Sequence, residues 1–258
     1  MGRTEARDLL ERARAEFAPD PGANRTVPLI ERGEAGAGVL RALALEERAV
    51  VAADRRAFLR LAERAAAMPR CAAYYAELAR GEEVAAGRLE DFARAVGAVA
   101  DAAEGARGRE DGPGGGGHGH GPEGGGHGYE PRPGCQAYPA FVAWLALNAA
   151  PAGTVLALAA NFSAWGGYCA RIAKGLREHY GLDDTACGFF DLFATPSPEY
   201  EETVLAAVQE WSDAGRIDEA AVRRHGRLLR SYEAGFWDAL LEGQEDQEGQ
   251  GARKGRER

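Results

Sequence analysis

Apolar residues recur at intervals of three and four residues along both halves of the chain, which is the period of an α-helix. Alanine, leucine, arginine and glutamate, which favour helices, are frequent in these stretches. The alternating runs of Val, Ile and Thr that would indicate β-strands are missing from the sequence. The pattern therefore predicts an all-α protein.

Proline, glycine and polar stretches divide this pattern into separate helices. The stretch APDPG ends the first of them, because two prolines and a glycine cannot continue a helix. Ser197-Pro198-Glu199 and Asp218-Glu219 are typical of helix starts, where negative charge meets the positive end of the helix dipole. The predicted helical segments are 4–17, 27–32, 37–67, 70–79, 85–103, 135–149, 153–180, 186–194, 199–214 and 217–241.

One side of the predicted helix 37–67 carries two carboxylates, Glu47 and Asp54, within an otherwise apolar stripe. The stripe contains Leu40, Leu43, Glu47, Val50, Asp54, Phe58 and Leu61. Ionised carboxylates are seldom buried without a partner, so one interpretation is that this face turns to solvent beside Arg48 or Arg55. The other is that the stripe faces the core and carries both carboxylates with it. The sequence leaves both interpretations open.

A glycine-rich tract interrupts the helical pattern near the middle of the chain. Residues 108–134 include the run GGGGHGHGPEGGGHG, and such a density of glycine predicts a flexible surface insertion. Its histidines, His118, His120 and His127, either bind a divalent metal opportunistically or are incidental to the insertion. We expect one domain over 1–244, interrupted by this tract, and a disordered polar tail over 245–258.

Composition and charge restrict the partners. The 258 residues are 45% hydrophobic, enough for a sizeable core, and the net charge is -9 with basic residues scattered among acidic ones. This distribution argues against nucleic-acid binding, which needs clustered Lys and Arg. No stretch has the length and apolarity of a membrane span, and the first residues are charged and amphipathic, so we expect a cytoplasmic protein without a membrane partner.

Cysteine and histidine are too sparse to suggest a metal centre. The four cysteines, at positions 71, 135, 169 and 187, are isolated from one another and predict reduced thiols without a zinc site. Outside the insertion only His179 and His225 remain, and both are predicted to lie on the surface of helices. We therefore expect no metal cofactor.

Three segments combine polar and aromatic residues in a way that suggests a pocket. The run ANFSAWGGYCARIA places Ser163, Trp165 and Tyr168 close together on a helix, with two glycines that let a ligand or another helix approach. Tyr138 begins another helix just before a proline. In SYEAGFWDALL, Glu233 lies one turn from Phe236, and a carboxylate among aromatic side chains has the raised pKa that suits general acid–base catalysis.

Four segments in this order resemble the TenA/thiaminase II and PqqC-like family. They are NRTVPLIERGEAGAGVLRALALEERAVVAADRRAFLRLA, CQAYPAFVAWL, ANFSAWGGYCARIA and SYEAGFWDALL, and the resemblance covers most of the chain outside the insertion and tail. It implies a haem-oxygenase-like bundle of about seven helices, a closed central pocket and a homo-oligomer. Haem itself is not expected, because haem-binding members take their axial histidine from the first helix and no histidine precedes His118 here.

The resemblance also implies roles for individual residues. The family pocket holds an aminopyrimidine, and hydrolysis releases this ring from thiamine or replaces its amino group. Glu47 matches the carboxylate that holds the pyrimidine, Tyr138 the pocket tyrosine and Glu233 the C-terminal catalytic glutamate. The nucleophilic cysteine of the family falls on Ser163, which lacks a neighbouring histidine to activate it. A subclass of the family works without this cysteine and relies on its carboxylates.

These expectations lead to three hypotheses. The first is a TenA-like protein that binds a small aromatic, pyrimidine-type ligand and hydrolyses it without a cofactor in thiamine degradation or salvage. Its catalytic residues would be Glu233 and Ser163, and its ligand-binding residues Glu47, Tyr138, Trp165, Tyr168 and Phe236. The second is a catalytically silent binding or regulatory protein, and the third is a purely structural bundle with solvated polar positions.

Overall fold

The regular structure of the described chain is entirely α-helical. The computed structural model describes residues 3–19, 22, 24–98, 129–195, 198–215 and 217–242, and no β-strand occurs among them. Seven of the nine helices in these ranges have at least 14 residues. The helices are α1 (Arg3–Glu16), α2 (Thr26–Glu31), α3 (Ala37–Arg64), α4 (Pro69–Ala95), α5 (Pro133–Asn148), α6 (Pro151–Tyr180), α7 (Asp184–Ala194), α8 (Pro198–Asp213) and α9 (Glu219–Leu241). The prediction of an all-α protein is confirmed.

Six helices form a closed ring around the centre of the bundle. Neighbouring helices pack in the order α3, α4, α7, α6, α9 and α5, and α5 packs against α3 to close the ring. Helices α1 and α8 cover α6 and α4 from outside, whereas α2 packs against α6. Two clusters of buried apolar side chains fill the interior, one around Phe58 and Tyr74 and the other around Phe92 and Trp237. The candidate site lies where these two clusters meet.

Helix α4 runs without a break through the position where the sequence predicted a gap. The predicted segments 70–79 and 85–103 are joined in Pro69–Ala95, and Gly81 lies inside the helix. A single glycine lowers helix stability by only about 1 kcal/mol, which neighbouring turns can offset. The continuity matters because it carries Glu82 into the interior. The helix stops before Gly97, which has a φ of +74°, and residues 99–103 lie outside the described part.

The segment that leads into α5 is anchored by the buried carboxylate of Glu46. Glu46 Oε1 accepts hydrogen bonds from the Tyr129 hydroxyl (2.5 Å) and the Arg132 backbone amide (2.7 Å), and Oε2 accepts one from Gln136 Nε2 (2.7 Å). Residues 129–134, which the sequence analysis assigned to the insertion, are thus tied to α3, and Pro133 begins α5. Residues 108–128 and 245–258, with His118, His120 and His127, lie outside the described residues.

The remaining histidines differ in exposure. His179 is exposed, as predicted. His225 is buried in α9, where its ring contacts the edges of the Phe141 and Trp144 rings, so the surface position predicted for it is wrong. None of the described helices combines the length and the apolarity needed to cross a membrane.

Candidate functional site

The ring of helices encloses a central cavity to which all six of its members contribute side chains. Its free volume is about 50 Å³, which has room for a few water molecules. The lining residues are Glu47, Val50, Val51, Asp54, Glu82, Tyr138, Asn161, Phe162, Trp165, Phe189, Phe193, Glu233, Phe236 and Trp237. Four carboxylates and seven aromatic side chains therefore face one space inside the ring of helices.

The four carboxylates, Glu47, Asp54, Glu82 and Glu233, are each between 3% and 6% exposed. Glu47 and Asp54 share one face of α3 because seven residues correspond to almost two full helical turns. No hydrogen bond or ion pair joins Glu47, Asp54 or Glu82 to any other described residue, and Asp54 Oδ1 is buried without a partner. The question that the sequence left open is answered: both carboxylates of the α3 stripe face the interior.

Burial and mutual repulsion favour the protonated forms of these carboxyl groups. Burial raises the pKa of Glu47 well above its ordinary value, and the negative charges of Asp54 and Glu233 add to this effect. Burial also raises the pKa of Glu82, with contributions from Asp54 and Glu47. The pKa of Asp54 is raised by burial as well. A cationic ligand would stabilise the ionised forms of these carboxyl groups.

A chain of hydrogen bonds holds Glu233 at one side of the cavity. The Tyr138 hydroxyl donates to Asn161 Oδ1 (2.8 Å), and Asn161 Nδ2 donates to Glu233 Oε2 (3.0 Å). Arg230, one turn earlier in α9, donates to the same carboxylate oxygen. Burial raises the pKa of Glu233 to about 7, although Arg230 and Asn161 oppose this shift. Near neutral pH, Glu233 can therefore both donate and accept a proton.

Aromatic rings form the rest of the cavity wall. Trp165 stacks on Trp237 with ring centroids 5.7 Å apart and an interplanar angle of 27°. Phe193 meets the Trp165 ring edge-on at 6.0 Å, and Phe236 meets Trp237 at 5.4 Å. Aromatic faces attract both flat rings and cations, so a flat cationic ligand could meet this wall and the carboxyl groups together.

Five of the seven residues predicted for the site meet in this cavity: Glu47, Tyr138, Trp165, Glu233 and Phe236. They come from α3, α5, α6 and α9. Their convergence from distant parts of the chain is the condition on which the small-molecule hypotheses depend.

Ser163 and Tyr168 do not line the central cavity. Ser163 is exposed on the outer side of α6, because two residues after Asn161 the helix has turned by about 200°. The Tyr168 hydroxyl contacts Arg230 Nη2 at 3.4 Å, and its ring packs edge-on against Trp237. Tyr168 therefore supports the guanidinium that holds Glu233, and Ser163 is not placed to attack a ligand in the cavity.

None of the four cysteines, which are all buried and free, offers a substitute nucleophile. Cys169 lies in α6 but does not line the cavity, and burial raises the pKa of its thiol well above the ordinary value. The described part of the chain contains no group of three or more His, Cys, Asp and Glu side chains arranged to hold a metal ion.

Sequence reasoning missed Asn161, Glu82 and Arg230 as site residues. Asn161 is the one strongly polar residue in the run LALAANF, and a lone amide in an apolar helix could have indicated a buried polar site. Glu82 lies in the gap that was predicted between the helical segments 70–79 and 85–103. For Arg230 the sequence gives no signal beyond its position one turn before Glu233.

In sequence comparison, no protein-family model matches the chain, and no curated protein matches it. The resemblance to the TenA and PqqC-like family therefore stays a prediction from the sequence.

Proposed function

We propose that this protein is a TenA-like protein that binds a small nitrogen-containing aromatic ligand of the aminopyrimidine type in the central cavity and hydrolyses a C–N bond in it. The observation that carries the proposal is Glu233: a buried carboxyl group with a pKa of about 7, held by Asn161 and Arg230, that faces a wall of aromatic rings and further carboxylates. This combination provides a cation site and a proton shuttle in one place.

Binding would use the charge and the flat surfaces of the cavity together. A protonated aminopyrimidine presents N–H donors in its plane to Glu47 or Asp54, and its face stacks on Trp165. A free volume of about 50 Å³ requires lining side chains to shift before a six-membered ring fits. Phe162 and Phe193, which are only half-buried, are the side chains that would make this movement.

The hydrolytic step follows from the position of Glu233. Its carboxylate accepts one proton from a water molecule as the water oxygen bonds to the carbon that carries the amine. The carboxyl group then donates this proton to the departing nitrogen as the C–N bond breaks, so the products are an alcohol or its keto form and a free amine. Glu47 orients the ring, and Tyr138 fixes the Asn161 amide that holds Glu233. Water is the nucleophile because Ser163 lies outside the cavity.

The second candidate is a ligand-binding or regulatory protein without turnover. It is favoured by the absence of a hydroxyl or thiol nucleophile near Glu233 among the described lining residues, apart from the Tyr138 hydroxyl, which is bound to Asn161. The two candidates share the binding site and differ in what Glu233 does after binding.

Thermal stabilisation by thiamine and 4-aminopyrimidine, followed by amine-release assays, tests both candidates. We expect wild-type protein to be stabilised and to release amine, and Glu233→Gln to bind but release none. Glu11→Gln, at an exposed position in α1, is the control and should behave as wild type. Thermal stabilisation by a ligand without release of amine would support the second candidate, a binding protein without turnover. If neither ligand stabilises the wild type, the proposed ligand class is wrong.

A further inference from the structure

A second and larger opening lies directly outside the central cavity. This outer cleft, between α4, α6 and α7, has a free volume of about 400 Å³, and its lining includes Leu78, Gly81, Glu82, Phe162, Gly167 and Phe193. Glu82, Phe162 and Phe193 line both spaces. These three side chains therefore form the wall between the outer cleft and the central cavity.

We propose that the outer cleft is the entrance to the central cavity and a second subsite, which holds a part of the ligand that carries no negative charge. The ligand would then have two parts, a compact ring inside and a further group outside. This inference depends on the proposed binding of a ligand in the central cavity, but it does not depend on hydrolysis or on the identity of the ring.

The wall between the two spaces is made of side chains that can move. Phe162 and Phe193 are half-buried at the edge of the core: the ring centroid of Phe162 lies 6.0 Å from that of Phe58, and the centroid of Phe193 lies 5.4 Å from that of Phe189. Exposed side chains change rotamer within nanoseconds, and half-buried rings at an open cleft have solvent on one side into which they could turn. Glu82, 5% exposed and without a hydrogen-bond partner among the described residues, would meet a ligand at this junction.

The charges around the outer cleft favour a neutral or cationic group. Glu77 and Glu82 line it, and Arg14 is the one cationic side chain among its described lining residues. Arg14 is already bound to Glu201 through Nη2 (2.7 Å) and Nη1 (3.3 Å). A phosphate group would therefore compete with Glu201 for the two Arg14 nitrogens that reach it and would lie near Glu77.

Two glycines on facing helices keep the outer cleft open. A Cβ atom built on Gly81 of α4 or on Gly167 of α6 would meet nothing within 4 Å, and neither residue has a positive φ. Neither packing nor backbone conformation therefore requires glycine, which destabilises a helix interior by about 1 kcal/mol relative to alanine. A larger side chain at either position would occupy the outer cleft.

Leucine substitutions at these glycines test the inference. Gly167→Leu and Gly81→Leu fill the outer cleft, and Gly87→Leu is the matched control, because Gly87 also lies in α4 with nothing within 4 Å but lines neither space. The probes are benzamidine, a compact aromatic cation, and thiamine, which has two rings. Stopped-flow tryptophan fluorescence reports binding, since Trp165 and Trp237 line the cavity.

We expect Gly167→Leu to slow both association and dissociation of benzamidine while its Kd changes little, and to weaken thiamine binding by about tenfold or more. Gly81→Leu should act in the same direction, and Gly87→Leu should match the wild type. Rates and affinities that are equal in Gly167→Leu, Gly81→Leu and Gly87→Leu would overturn the inference. Tighter binding of thiamine diphosphate than of thiamine would contradict its charge preference.

The same experiment separates failure of this inference from failure of the proposed function. If the wild type binds benzamidine but not thiamine or an aminopyrimidine, the proposed ligand class fails, and the benzamidine rates still decide whether the outer cleft is the entrance. If the wild type binds none of these probes, both proposals fail.

Discussion

Asn161 and Glu233, which are 72 positions apart in the chain, are joined by a buried hydrogen bond from Asn161 Nδ2 to Glu233 Oε2 over 3.0 Å. The other end of the Asn161 amide accepts a hydrogen bond from Tyr138, so the orientation of the amide is fixed. Helices α5, α6 and α9 are thereby connected at a carboxylate that has a pKa near neutrality. The side chain that positions Glu233 is thus itself positioned by a residue on a third helix.

Replacing Asn161 with leucine should weaken both the fold and this arrangement. Asn161→Leu leaves the Tyr138 hydroxyl and Glu233 without a shared partner, so we expect the free energy of unfolding to fall by about 1–3 kcal/mol. Because the Asn161 hydrogen bond lowers the pKa of Glu233, that pKa should rise in the variant. Urea denaturation and carboxyl-carbon NMR measure the two effects.

The control for this change is Asn148→Leu. Asn148 is exposed at the end of α5 and donates only to the Trp144 carbonyl oxygen (2.9 Å). We expect Asn148→Leu to change the free energy of unfolding by less than about 0.5 kcal/mol. Equal losses of unfolding free energy in Asn161→Leu and Asn148→Leu would show that the hydrogen bonds of Asn161 to Tyr138 and Glu233 add nothing to stability.

The stability of the protein should depend on pH through Glu233. The pKa of Glu233 is about 7 in the folded protein against an ordinary value of 4.5, so between these values the folded state holds a proton that the unfolded state has released. The stabilisation that comes from protonated Glu233 is complete below pH 4.5, the ordinary pKa. It is lost as the pH rises through the folded-state pKa of about 7.

Urea denaturation of wild type and Glu233→Gln across this pH range measures the effect. The free energy of unfolding of the wild type should fall relative to that of Glu233→Gln, by up to about 1.4 kcal/mol per pH unit. Glu11→Gln, which alters an exposed carboxylate, should follow the wild type. Parallel pH profiles for wild type and Glu233→Gln would mean that Glu233 titrates normally.

Glu46 should be a main anchor of the segment that enters α5. Glu46→Gln places an amide NH₂ among three hydrogen-bond donors, so we expect the free energy of unfolding to fall by about 1.5–3 kcal/mol, the range for hydrogen bonds to charged groups. Hydrogen exchange of the Arg132 amide should accelerate. Glu90→Gln breaks only an exposed ion pair with Arg48 and should cost less than about 1 kcal/mol. Unchanged exchange at Arg132 would contradict this assignment.

Two glycines of α6 should respond in opposite directions to alanine. A Cβ on Gly175 would lie 2.5 Å from the Ile30 carbonyl oxygen and 2.7 Å from Glu31 Cα, so Gly175→Ala should force α2 away and cost about 1–3 kcal/mol. Gly167→Ala meets open space and should stabilise by about 0.5–1 kcal/mol, because alanine favours helices. Thermal and urea unfolding measure the stability of the two variants. Similar changes in the free energy of unfolding would mean that α2 does not approach α6 closely at Gly175.

The sequence predicts most of the helices because the repeat of apolar residues depends only on which face is buried. The same repeat places Glu47 and Asp54 on one inward face of α3. It cannot say whether buried carboxylates pair with cations or line a cavity, because that depends on the helices opposite, which here bring Glu82 and Glu233 instead of Lys or Arg.

Ser163 and Asn161 show the limit of reasoning from one helix. In a helix that is apolar on nearly all sides, such as the first half of α6, the periodicity does not identify the face that meets the site. An offset of two residues then exchanges inward and outward positions. The cavity side chain proved to be Asn161, whose two hydrogen bonds depend on Tyr138 and Glu233 and so on the assembled ring of helices.

The most direct test of the central claim is a crystal structure of the protein with 4-aminopyrimidine. We expect the ring inside the central cavity, stacked on Trp165, with its nitrogen atoms within hydrogen-bonding distance of Glu47 or Glu233 and with Phe162 or Phe193 displaced. A ring bound elsewhere on the protein, with the central cavity closed and unchanged, would contradict the claim.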